Sequence, residues 1–151
     1  GAYDAAYESY ADFSGRGCCF SDQKGLFAGG SGSIKPDLAA PGVNVQTLGL
    51  NGETRIVTGT SFATPFVTGS AALLMEWGIV QGNDPFLYGE KVKAYLRKGA
   101  RPLRGEAEYP NDRVGYGRLC LESSLPDYVF RLLAYGIKME NFAGKEGANE
   151  E

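Results

Sequence analysis

The segment Gly59-Thr60-Ser61-Phe62-Ala63-Thr64-Pro65 places a serine hydroxyl on a turn of small residues. The apolar run Phe66-Val67-Thr68-Gly69-Ser70-Ala71-Ala72-Leu73-Leu74-Met75 starts directly behind it. A hydroxyl is a weak nucleophile at neutral pH and needs a general base. The chain contains no histidine, so Ser61 has no such base of the usual kind within the same chain. A serine at the start of a helix has its own backbone N–H, and the positive end of the helix dipole, directed at whatever binds there. An acyl group attacked by Ser61 would develop its oxyanion within reach of those N–H groups. The bland alternative is that Thr60 or Ser61 merely caps the helix. The Gly-x-Ser-x-Gly elbow of other hydrolases is not matched, because its fifth position here is Ala63.

The elements that must hold this turn follow from the pattern around it. Residues 1–15 read as a short strand, a polar turn, and a second strand around Tyr10 to Phe13. Residues 16–34 are Gly- and Ser-rich and read as a loop. A phosphate cradle is not expected there, since no Gly-Lys-Ser/Thr follows. Leu38-Ala39-Ala40 reads as a small buried strand, with a turn at Pro41-Gly42. Val43 to Leu48 alternates as a half-buried strand does, Asn51-Gly52 signals a hairpin, and Thr54 to Thr58 leads into Gly59. From Ser61 to about Trp77 the pattern is helical and apolar nearly all round, so a central, buried helix is expected, with Pro65 tolerated in its first turn. Residues 88–98 read as an amphipathic helix with Val92, Tyr95 and Leu96 on its inner stripe. Residues 99–113 read as irregular, Gly115-Tyr116-Gly117 as a close approach of chain to core, and 126–136 as a third helix before a polar, frayed tail.

Composition bounds the class. A chain of 151 residues with 43% hydrophobic and 22% charged residues buries a core and fits one domain or a large piece of one. A net charge of −3 gives no sign of a nucleic-acid partner. The basic group Lys91, Lys93, Arg97, Lys98, Arg101 and Arg104 reads as the solvated face of a helix. Cys18, Cys19 and Cys120 make no metal-ligand pattern and read as free thiols, which leans toward a reducing compartment. Asp4, Asp12 and Asp37 read as turn or strand-end residues whose side chains bond nearby backbone, rather than as catalytic acids. No apolar run reaches about 18 residues without breakers, so no membrane segment is expected.

Taken together, Gly59-Thr60-Ser61-x-Ala63-Thr64-Pro65 resembles the nucleophile motif of subtilisin-like serine proteases. Three other segments agree in order: Gly1-Ala2-Tyr3-Asp4 through Phe13-Ser14-Gly15, Lys35-Pro36-Asp37-Leu38-Ala39-Ala40-Pro41-Gly42-Val43, and Gly115-Tyr116-Gly117-Arg118-Leu119. The resemblance covers residues 1–122, and its details are similar to clostridial-type members, including the spore-germination group. It implies an α/β fold: the C-terminal part of a three-layer sandwich, with a parallel sheet, a buried nucleophile helix and a β-hairpin, incomplete by itself. Residues 123–151 would be a helical extension and tail.

The same resemblance implies a serine endopeptidase working through an acyl-enzyme on Ser61. The family's triad runs Asp, His, Ser, so the Asp and His are expected upstream of Gly1, together with the oxyanion Asn. The Ser61 N–H and Thr60 hydroxyl would be oxyanion donors within this chain, with Gly59 beside the substrate. Phe62 stands where the family commonly has Met, and Phe66 where it commonly has His. The expected partners are a peptide or protein substrate and the N-terminal half of the catalytic domain; no cofactor is implied, and calcium sites are not readable in this stretch. The chain by itself is expected to be inactive and to self-associate or partly rearrange. The other class consistent with the sequence is a non-catalytic relative that serves as a binding or signalling module.

Overall fold

The computed structural model describes residues 1–17 and 35–126. The expected loop over 18–34, Cys18 and Cys19, the helix over 126–136 and the frayed tail lie wholly or almost wholly outside the described residues.

Strands β1 (Ala2–Asp4), β2 (Ser9–Tyr10) and β3 (Ala40–Pro41) form a three-stranded sheet in the order β2-β1-β3. β1 pairs antiparallel with β2, Tyr3 opposite Tyr10, and parallel with β3, Ala2 opposite Ala40. The second strand is shorter than the expected Tyr10–Phe13, because Ser14 leaves the ladder. Its N–H bonds Ala11 at 2.8 Å and its hydroxyl accepts the Ala2 N–H at 2.9 Å. Strands β4 (Val45–Leu48) and β5 (Thr54–Val57) form the expected antiparallel hairpin, closed around Asn51-Gly52 with Gly52 at φ 76°.

Helix α1 (Thr60–Met75) runs on into a π-helical segment, Glu76–Val80. Two expectations fail here. Pro65 lies beyond the first turn, the sixth residue of α1. Lacking an N–H, it leaves the Ser61 carbonyl without its i+4 donor. The helix is also not buried all round: Ala63 and Leu74 are its buried residues, while Phe62, Phe66, Leu73 and Met75 are exposed. Being apolar all round requires covering on every side, and the described residues cover one side only. The stretch Thr60–Val80 has the length and hydropathy of a membrane span, against the expectation of none. Its Leu74 and Trp77 nevertheless pack in a core with Leu38, Leu87, Val92 and Leu96.

Helix α2 (Glu90–Lys98) buries Val92 and Leu96, with Tyr95 packed partly against the same core, which is the expected stripe. Its charged face is only partly solvated. Lys91 bonds Asp84 at 2.6 Å and Lys93 bonds Glu90 at 3.0 Å, but Arg97 turns inward to pair with Asp37 and lies 5.0 Å over the Tyr116 ring. Asp37 therefore does not serve a local turn; it holds Lys35 and Arg97 together. Asp4 does behave as a turn residue, accepting the Ala6 N–H at 2.9 Å. A short helix α3 (Leu121–Ser124), not expected from sequence, packs on α2. Cys120 before it is a free thiol. Gly115 fits because a Cβ there would lie 2.0 Å from the Pro36 carbonyl oxygen, at a φ of 60°.

The Asp37 cluster gives the fold a pH dependence. Burial pushes its carboxyl up, but hydrogen bonds from Lys35 and Arg97, with their charges, outweigh that and hold it below the ordinary 3.8. A carboxyl depressed in the folded state contributes stability in full above the unfolded value. It loses that contribution as pH falls through the folded value. Asp37→Asn is expected to flatten the drop in urea midpoint below about pH 4. An equally steep drop in the variant would show that the cluster is not its source.

Candidate active site

The turn bearing Ser61 is tied to the end of the sheet by a relay of backbone bonds. Gly42, one residue past β3, donates its N–H to Tyr3 of β1 at 3.0 Å and accepts the Gly59 N–H at 2.8 Å. A Cβ on Gly42 would come within 2.6 Å of the Ala2 side chain and 3.0 Å of the Gly59 carbonyl oxygen, so only glycine lets the sheet approach the turn this closely. On the other flank the Thr58 hydroxyl accepts the Asn44 N–H at 3.0 Å, joining the two legs of the hairpin.

Gly59 is the N-cap of α1, at φ 155° and ψ 158°, a corner of backbone space populated essentially by glycine alone. No side chain caps the helix, which corrects the expectation that Thr60 or Ser61 does so. Both have entered the helix: Thr60 is its first residue and Ser61 its second. The Ser61 N–H therefore belongs to the first four of the helix, which have no intrahelical acceptor. Ser61 is exposed. The first turn contains no acidic residue to offset the positive end of the dipole. An anionic oxygen placed there would meet an unneutralised helix N-terminus.

Two hollows flank the turn. A cavity of about 480 Å³ lies between α1 and α2, with Thr60, Ala63, Thr64, Val67, Val92 and Leu96 among its lining. Thr60 reaches it, but Ser61 does not line it, so it lies under the helix rather than at the hydroxyl. A smaller groove of about 290 Å³ runs between Val45, Gln46 and Thr47 of β4 and Phe62, Pro65 and Phe66 of α1. The Phe62 ring stands over Gly59, about 3.5 Å from where a Cβ would be.

The structure thus brings together all three predicted site residues, Gly59, Thr60 and Ser61, at one helix start. Among the described residues there is no group of three or more acidic, Cys or His side chains suited to a metal ion. The role of Gly42 escaped the sequence reading. Its signal, a glycine following proline after a buried strand, was legible as a turn, but not its contact with Gly59, 17 positions on.

Comparison with known proteins agrees with this arrangement. The model of the subtilase family, peptidase S8, matches residues 1–117. Membrane-bound transcription factor site-1 protease of Mus musculus is 33% identical over 114 residues, 76% of this chain and 10% of that protein. The structure of the Clostridium perfringens CspB protease superposes with a TM-score of 0.69 and 44% identity, over 82% of this chain and 24% of that one. The prenylagaramide maturation protease PagA superposes with a TM-score of 0.58 and 32% identity, over 82% of this chain and 39% of that one. The chain spans about a tenth of the length of the curated site-1 relatives and about a quarter of the CspB chain. A serine turn feeding a long apolar helix, a parallel strand pair behind it and a hairpin before it are shared with proteases of one kind, and the chain belongs to the subtilase family of serine proteases.

Proposed function

We propose that Ser61 is the nucleophile of a serine endopeptidase whose catalytic Asp and His lie in the part of the domain upstream of Gly1. The observation that carries this reading is the position of Ser61: solvent-exposed, second in a long helix, behind a glycine-only corner. With a His beside it, the Ser61 hydroxyl would give up its proton while its oxygen attacks the scissile carbonyl. The Ser61 N–H and the Thr60 hydroxyl would stabilise the oxyanion, joined by an upstream donor. Collapse of that intermediate would release the amine, protonated by the His, and leave an acyl-Ser61 ester for water to cleave. The substrate is a peptide or protein.

The test is labelling of the whole catalytic domain with a fluorophosphonate that modifies activated serines. Labelling is expected at Ser61 and nowhere else in this chain. A folded domain that binds peptide yet takes no label would move the protein to the binding-module class. The 151-residue chain by itself is expected to hydrolyse no peptide ester. Turnover lost on Ser61→Ala in that chain would overturn the assignment of the base to the upstream part.

Phe62 adds a second expectation. The residue after the nucleophile carries no sulfur, and the chain's two methionines are Met75 and Met139. Activity of the domain is expected to survive peroxide at concentrations that oxidise those methionines. Rapid inactivation with oxidation mapped next to Ser61 would refute this.

A further inference from the structure

The uncovered side of α1 is organised. Phe62, Pro65, Phe66, Gly69, Ala72 and Leu73 recur at three- and four-residue spacing and share one face, opposite the buried Ala63 and Leu74. Phe66 is 41% and Leu73 54% exposed. Gly69 and Ala72 between them leave room for another backbone to come close. Gly1, at the head of β1, lines the cavity beneath the same helix, so chain joined ahead of β1 enters alongside α1. Three quarters of the CspB chain lies outside the matched region, which is ample polypeptide to cover this stripe.

We propose that this stripe is an assembly surface that works between separate chains. It seats the upstream polypeptide of a subtilase domain supplied in trans, and the joined pair forms the complete site around Ser61. The proposal rests on the reading of Ser61 given above for its activity, but not for its binding. The occupant is an apolar segment of that upstream polypeptide; a second copy of this chain and a lipid surface are the competing occupants.

The experiment co-refolds the 151-residue chain with the portion of the C. perfringens CspB protease that precedes its matched region. Sedimentation measures the complex, and fluorophosphonate labelling measures Ser61. A 1:1 complex is expected, weakened at least about 30-fold by Phe66→Asp or Leu73→Glu. Circular dichroism of each variant chain alone should be unchanged, since both side chains are exposed. Ser61→Ala should assemble normally. A complex without labelling would sink the nucleophile reading and leave the surface standing. No complex, a complex indifferent to both variants, homo-oligomers that persist beside the upstream portion, or preferential binding to phosphatidylcholine vesicles would each overturn the assembly surface.

Discussion

Replacing Ser61 by alanine in the complete catalytic domain is expected to lower kcat about 10⁶-fold, the loss that follows removal of the nucleophile from a Ser-His-Asp arrangement. KM should change little, because the hydroxyl contributes to the transition state rather than to peptide binding. The fold should not change either. Ser61 is exposed, it makes no capping bond, and the turn is held by Gly42, Gly59 and Thr58 rather than by its side chain. Thr60→Val should cost far less, of the order of 10²- to 10³-fold at most, since one oxyanion donor among several is lost. Progress curves on a peptide substrate separate the outcomes. If Ser61→Ala retains more than about a thousandth of kcat, the nucleophile is elsewhere. If Thr60→Val matches Ser61→Ala, the hydroxyl of residue 60 has a larger part than that of one donor.

How much of this was legible in the sequence depends on whether the information was local. The hairpin was readable because Asn51-Gly52 and two alternating runs carry it in a dozen residues. The α2 stripe of Val92, Tyr95 and Leu96 was readable because one side of the helix is polar and the period therefore shows. In α1 the same method gave no direction, because the helix is apolar on every side, and the uncovered face emerged only from the packing. The pairing of Asp37 with Arg97 spans 60 positions and leaves no local trace. Asp37 consequently read as a turn residue and Arg97 as one of a solvated group. Ser61 was legible for a different reason: the small residues around it were needed by the turn, and together they spelled a family pattern. The corner at Gly59 and its bond to Gly42 show why those residues are small. The short α3, without a complete turn of periodic apolar residues, had no signal to read.

Adjacent leucines in α1 provide the second large effect. Leu74 is fully buried among Leu38, Trp77, Leu87, Val92 and Leu96, whereas Leu73 is 54% exposed on the uncovered stripe. Leu74→Ala in the 151-residue chain is expected to destabilise it by about 2–5 kcal/mol, the range for emptying a buried leucine site. Because that is a large share of the stability of a small domain, the variant should be partly unfolded at ambient temperature. Leu73→Ala should shift the urea midpoint by no more than about 0.5 kcal/mol. The two substitutions remove the same atoms one residue apart, so helix propensity and unfolded-state effects cancel between them and burial alone separates their costs. If Leu73→Ala proved as damaging as Leu74→Ala in the chain by itself, the stripe would already be covered there, by a second copy or by residues of this chain. Should its cost rise into the range of Leu74→Ala only once the upstream polypeptide is present, the same side chain would have passed from surface to core on assembly. That change is what a helix apolar on every side requires before its last face is out of water.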